Sequence, residues 1–488
     1  MHSVTARAAN DASPGAGRSP VTGRRAVPPS GKLASVVADR IVADVVDRGW
    51  PVGQVLGSES ALLARYGVSR AVFREAVRLV EHQQVARMRR GPGGGLVITE
   101  PSVDSVIDAV VVYLSRVNAR LDDVFDARLI LEELVADLAP ARLDEADMVE
   151  LRALVERERQ GDATDHRELH SLLAAATRNP ALDLFVDIIH RVCGLYLEDA
   201  TLVAGDVRDA SVHAHARIAE AVMAGDEGLA RRRMGRHLAA EADWLRGLRG
   251  SQQALVPRRV SLTGGGDKGA EVVAREVFEQ VMVDGWPVGT LIGSEAELID
   301  RYDVSRAVLR EAVRLLEYHD IAAMRRGPGG GLFVSEPGLE AVTDSVALLL
   351  DRRGMGVANL AEVRTGIELA IVDRVIAGLD AEDEARLAAA LEVERNAPDE
   401  DFLEVVGHDV HAVLAGLTGN PVLELVTLVL VRLSRLHQVT PSGHRPDAII
   451  DEVTRAHGRI VEAIVAGDRD LARHRMRRHL EALAPFFG

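Results

Sequence analysis

The chain has 488 residues, 47% of them apolar and 27% charged, a formal net charge of −16 and one cysteine, Cys193. That length holds three or four ordinary domains, and a lone cysteine excludes a disulfide framework within one chain. No apolar run is long enough to span a bilayer and the N-terminus lacks the apolar region of a secretory signal, so the expected setting is the cytoplasm, away from membranes. Few aromatics, 3%, suit helices packed through Ala, Leu and Val better than sheets. Cys193, in DIIHRVCGLYL, reads as a small buried apolar residue.

In chain order, residues 1–31 are rich in Gly, Pro, Ser and Arg without periodicity and read as a disordered tail. Residues 32–101 form a compact module. Residues 102–249 carry apolar positions at three- and four-residue spacing throughout, which predicts an all-helical block. A polar, Gly-bracketed linker covers 250–269, and the pattern then repeats: a module at 270–337 and a helical block at 338–488. Gly49 to Pro101 and Gly285 to Pro337 align without a gap, with 35 of 53 positions identical. The helical blocks are related too, through LHSLLAAATRNPAL and VHAVLAGLTGNPVL. The whole two-domain unit is duplicated, which points to a task with two-fold symmetry.

Inside the first module, Ser58 opens a short helix ending near Tyr66, and Gly67 breaks it. Ser69 caps a second helix, SRAVFREAVRLVEHQ, whose packing faces take in Ala71, Val72, Ala76, Val77 and Val80. Arg70 and Arg74 lie one turn apart at its front, as a helix-turn-helix presents side chains to the major groove. Two strand-like runs follow around a Gly-rich turn with Arg89 and Arg90 at its base, a shape suited to a wing lying on phosphates. A solvated Arg face and a plain hairpin are the simpler alternatives, and retention of VSRAV-x-REAVRL and MRRGPGGGL in both copies weighs against them. From Ser58 to Ile98 there are seven Arg against three Glu, so the acidity of the chain lies elsewhere.

The two modules resemble the winged helix-turn-helix of GntR-type transcriptional regulators, and the helical blocks resemble the effector domain of the FadR-like branch. The expected fold is mainly α, with two winged helix-turn-helix domains, each followed by an all-α bundle. The family motif is met at Ser69, Arg70, Arg74, Glu75 and Ala76, and again at Ser305, Arg306, Arg310, Glu311 and Ala312. The resemblance implies DNA contacts from these Ser and Arg residues, from Ser58 and Ser294, and from the wing residues Arg89, Arg90, Arg325 and Arg326. It also places the glycines Gly93, Gly94 and Gly95, with Gly329, Gly330 and Gly331, near the minor groove. An Arg that family members often carry in the preceding helix is absent, since the chain reads Gly57-Ser58-Glu59-Ser60 and Gly293-Ser294-Glu295-Ala296. Ala71 and Ala307 stand where polar residues are usual and offer only a methyl to thymine.

The second module has six Arg against seven acids from Ser294 to Val334, with Asp300, Asp303 and Asp320 new. An isolated second head is therefore expected to bind DNA more weakly and with a shallower salt dependence. Matching recognition positions predict matching half-sites, read by a pseudo-dimer within one chain; a homodimer with four heads is the alternative.

In the effector blocks the resemblance implies a divalent metal, zinc or nickel, on His170, His215 and His237 with His166 at the usual Asp position. In the second block it falls on His411, His457 and His479, where Gly407 takes the Asp position and His408 is the substitute. Imidazole-rich sets suit such metals. Arg128 and Arg364 match a family Arg that holds a carboxylate, which implies a small organic acid as effector; an exposed Arg paired with a nearby Glu is the plainer reading of each. The sequence thus reads as a DNA-binding regulator of a double-stranded operator and not an enzyme. Three alternatives stay open: a metal-free pocket of the acyl-CoA type, a second bundle serving purely as a dimerisation scaffold, and a hydrolase on the His clusters, for which no HExxH motif is present.

Overall fold

The computed structural model describes residues 30–89, 91, 93–161, 167–197, 205–249, 268–336, 338–396, 402–436 and 446–483. Head one comprises α1 (Ser30–Val46), β1 (Val55–Gly57), α2 (Glu59–Tyr66), α3 (Arg70–His82), β2 (Ala86–Arg89) and β3 (Gly95–Ile98). Its three strands form an antiparallel sheet in the order β1-β3-β2. Bundle one follows with α4 (Val103–Arg116), α5 (Leu121–Leu138), a 3-10 turn at Ala139–Ala141, α6 (Glu145–Gln160), α7 (Glu168–Ala176), α8 (Pro180–Leu197), α9 (Gly205–Met223) and α10 (Glu227–Arg249). Head two has α11 (Lys268–Val283), β4 (Leu291–Gly293), α12 (Glu295–Tyr302), α13 (Arg306–Tyr318), β5 (Ala322–Arg325) and β6 (Gly331–Val334), with the sheet order β4-β6-β5. Bundle two has α14 (Leu339–Arg352), α15 (Val357–Gly378), α16 (Ala381–Asn396), α17 (Phe402–Leu417), α18 (Pro421–Leu436), α19 (Pro446–Val465) and α20 (Arg469–Leu483). The fold is mainly α, as expected.

Local chemistry accounts for the heads. Ser58 Oγ accepts from Ala61 N–H at 3.3 Å, and Gly67 ends α2 in the left-handed region at φ 65°, which glycine enters without a Cβ penalty. Ser69 caps α3 by accepting from Val72 N–H at 3.3 Å. The packing face of α3 differs from the sequence reading in one respect. Ala71 is exposed, and Phe73, wholly buried, belongs to the same core cluster as Ile41 and Leu62; burying such a ring contributes about 1.5–3 kcal/mol. Both GWPVG segments hold Trp in the left-handed region, and the indoles of Trp50 and Trp286 donate to Thr99 O and Ser335 O at 2.7 and 2.9 Å. That bond ties the segment after the first helix of each head to the end of its last strand.

The two halves pack on each other through contacts that repeat with the sequence. Asn179 Nδ2 donates to Asn359 O at 2.9 Å, and its counterpart Asn420 donates to Asp123 O at 2.9 Å. Arg116 pairs with Glu336, and its counterpart Arg352 with Glu100 at 3.7 Å. A contact that returns with its partners exchanged is the mark of an isologous, two-fold interface; here it lies within one chain. Its apolar seam includes Val110, Leu114 and Phe185 against Val346, Val422 and Val426. The heads dock across this axis. Leu348 of α14 joins the core of head one, and Gln83 donates to Asp344 at 3.1 Å. Tyr318 and His319 of head two face Ser105 and Val106 of α4.

Candidate nucleic-acid interface and candidate metal centres

At the front of α3, the Arg70 and Arg74 side chains are 68% and 71% exposed, and their Nε atoms lie 3.3 and 3.9 Å from Glu59 Oε1. Head two repeats the arrangement, with Arg306 and Arg310 at 3.2 and 3.8 Å from Glu295 Oε1. One carboxylate from the preceding helix thus gathers two guanidiniums on one exposed face, ready for phosphate or base edges. Glu59 and Glu295 went unnoticed as partners in the sequence, where they look like first-turn acids.

The serines named as DNA contacts are all helix caps: Ser58, Ser69, Ser294 and Ser305 accept from Ala61, Val72, Glu297 and Val308 N–H. A capping hydroxyl accepts through a lone pair and keeps its own proton to donate. In the wing, β2 and β3 pair from Ala86↔Ile98 to Arg89↔Gly95, and Arg89 Nη2 donates to Gly93 O at 3.1 Å. Arg90 lies outside the described residues. Arg325 and Arg326 are exposed, and Arg325 sits over the Phe333 ring at 4.3 Å. Gly93 and Gly329 need the left-handed region, at φ 72° and 74°. Gly94 N–H closes the first wing turn on Gly91 O at 2.9 Å. The last wing glycines have an internal reason: a Cβ on Gly95 would sit 2.3 Å from Gly57 O, and on Gly331 2.6 Å from Gly293 O. A Cβ on Gly330 would meet Arg325 O at 2.4 Å. At these three positions the glycine is required by a close approach of the head to itself.

In bundle one, His170 from α7, His215 from α9 and His237 from α10 are buried and bring three ring nitrogens within 4.8 Å of one another. His411 from α17, His457 from α19 and His479 from α20 do the same in bundle two. The Nε2 atoms face each other, at 3.3 Å for His215–His237, 3.3 Å for His411–His479 and 3.0 Å for His457–His479. Nitrogens bound to one tetrahedral cation at about 2.0–2.1 Å are separated by about 3.3 Å, so both triads fit a metal such as zinc. Behind the triads stand carboxylates, as the outer ligand shell of a metal site requires. Nδ1 of His215 meets Glu158 at 2.8 Å, Nδ1 of His457 meets Glu394 at 2.8 Å, Nδ1 of His411 lies 2.5 Å from Glu368, and Nδ1 of His170 meets Glu132. His166 lies outside the described residues, as does the side chain of His408 in α17.

Burial holds His170, His411 and His479 neutral, His411 down to about 4. Burial opposes the charge on Glu368, yet His411 and Arg364 beside it hold its carboxyl at about 2. Neutral imidazoles with ionised carboxylates behind them are the state a cation binds. Arg128 and Arg364 are buried, at 2% and 5% exposure, so the plainer reading fails on exposure but holds on the partner, a Glu four residues on in each case. Arg128 donates to Glu132 at 2.6 Å and to Glu241 at 2.8 Å; Arg364 donates to Glu368 at 2.5 Å and to Ser434 at 3.1 Å. The carboxylates that meet these guanidiniums here are the protein's own. His190, also unforeseen, adds a second group with Glu132 and His170, its Nε2 lying 2.9 Å from Glu132. Cys193 is buried, and burial pushes its thiol up to about 12.

Residues 33–95 match the model of the gntR family of bacterial regulatory proteins, and the FCD domain model matches twice, at 123–240 and 359–482. The chain belongs to the GntR family. It is a DNA-binding transcriptional regulator of that family with FCD effector domains. Among its relatives, the regulator YcbG of Bacillus subtilis is 27% identical over 216 residues, covering 43% of this chain and 88% of its own. The transcriptional repressor NanR of Salmonella newport is 26% identical over 224 residues, covering 44% and 84%. Each such relative spans, once, a length that this GntR chain carries twice. A solved Streptococcus agalactiae GntR structure is 23% identical, covers 43% of this chain and 99% of its own, and has a TM-score of 0.31. No helix among the described residues is long and apolar enough to cross a membrane.

Proposed function

We propose that this GntR chain is a covalent pseudo-dimer that reads one short palindrome with its two heads, under the control of a small organic-acid effector in the FCD bundles. The exchanged contacts of Asn179 and Asn420 carry this reading, because they supply within one polypeptide the two-fold axis that a palindrome demands. Arg70, Arg74, Arg306 and Arg310 are the base and phosphate contacts, with Arg89, Arg325 and Arg326 on phosphates beside the wings. His170, His215 and His237, with His411, His457 and His479, hold zinc or nickel, which supplies an electrophilic centre for a carboxylate. Effector binding shifts the bundle packing, and docking of each head across the axis passes that shift to head spacing.

Selection of bound DNA from a random pool at physiological salt tests the reading. A palindrome with matching half-sites is expected, and its enrichment is expected to change with added zinc or nickel. An asymmetric motif would contradict matched heads.

A further inference from the structure

The two triads are alike, but the buried charge around them is not. Around His170, His215 and His237, one guanidinium (Arg128) faces three buried carboxylates, Glu132, Glu158 and Glu241. Around His411, His457 and His479, one guanidinium (Arg364) faces two, Glu368 and Glu394. Counted over these guanidiniums and carboxylates, a divalent cation on each triad would leave bundle one neutral and bundle two with one positive charge uncompensated, and buried charge without a partner is costly.

The difference in carboxylates is a single side chain, and bundle one also buries His190 where bundle two has Val431. Four residues after His237 on α10 stands Glu241, whose Oε1 takes Arg128 Nη1 at 2.8 Å and whose Oε2 lies 4.0 Å from His237 Nε2. Four residues after His479 on α20 stands Leu483. Arg364 Nη1 is left with the Ser434 hydroxyl at 3.1 Å, at the position of Cys193 in bundle one. A cavity of about 500 Å3 has both His479 and Leu483 in its wall, with Arg459, Arg475 and Arg478 against one acid, Glu452. Arg475 and Arg478 pair outward with Glu462 and Glu481 at 3.0 and 2.9 Å.

We propose that Glu241 is a built-in carboxylate that closes bundle one, so that bundle two alone takes an external monocarboxylate, held by Arg364 beside its triad. One chain then binds one effector, although it carries two FCD domains. This rests on the reading that both triads hold metal.

The test uses the full chain loaded with cobalt(II) to two ions per chain, titrated with azide and then with acetate while the visible absorption of cobalt is followed. At saturation half of the cobalt signal is expected to shift in the wild type. Glu241→Gln, which keeps the shape of the side chain, is expected to make both centres respond, and Leu483→Glu to silence bundle two. Equal response of both wild-type centres, response of neither, or indifference to both substitutions would overturn the proposal. A chain that takes up no cobalt would overturn the metal reading and this inference with it. Two bound ions that respond equally would overturn this inference alone.

Discussion

Glu59 and Glu295 show how a first-turn acid, unremarkable in a sequence, sets the posture of the arginines proposed to read DNA. Each holds two guanidiniums near one oxygen while leaving them more than two-thirds exposed, so little desolvation precedes transfer to the duplex. An Arg contact to a base edge is worth about 1–3 kcal/mol. Arg70→Ala and Arg306→Ala are each expected to weaken binding to the selected operator by that amount, measured by fluorescence anisotropy at fixed salt. A loss well below that range for both would remove these residues from the interface. The buried imidazoles make a second expectation. Burial holds His411 to about 4 against an ordinary value of 6.5. Because the folded value is depressed, its contribution to stability is full above pH 6.5 and is lost as pH falls through 4, the unfolded chain binding the proton first. The melting temperature of the metal-free protein should decline across that window; a flat profile there would contradict a neutral, buried His411.

Among the elements, the heads were legible because their signals are local: Ser caps, a Gly in the left-handed region, paired Arg and a Gly-rich turn all lie within a few residues of each other. The short strands β1 and β4 were not, since three residues such as Val55–Gly57 cannot show alternation. The imidazole triads were legible through matched His positions, whereas Glu132, Glu158, Glu368 and Glu394 pass in sequence for a solvated helix face. The Arg-x-x-x-Glu spacing at Arg128 and Arg364 in both copies was the one available sign. Head two keeps the recognition geometry of head one but adds exposed Asp300 and Asp303, the latter ending α12 where Gly67 ends α2. Leu348 packs into the core of head one, so the comparison belongs in the full chain. With Arg70 and Arg74 changed to Ala, the remaining head two is expected to bind a half-site more weakly and with a shallower salt slope than head one in the Arg306→Ala, Arg310→Ala variant. Equal affinities and slopes would refute the inequality of the heads.

For the molecule as a whole, duplication has placed a dimer interface inside one polypeptide. The repeat was plain in the sequence, but the pairing of Asn179 with Asn359 and of Asn420 with Asp123 joins residues 180 and 297 positions apart, beyond any local pattern. In the proposed pseudo-dimer, fusion would make the second head's encounter with DNA intramolecular, at an effective concentration fixed by the fold and not by expression level. It also lets the two halves diverge, as Glu241 and Leu483 have done, which identical subunits cannot. The most direct test is the mass of the complex on the selected palindrome by light scattering at physiological salt. One 52.6 kDa chain per duplex, with both half-sites protected, is the expected result. Two chains per palindrome, each using one head, would contradict the pseudo-dimer.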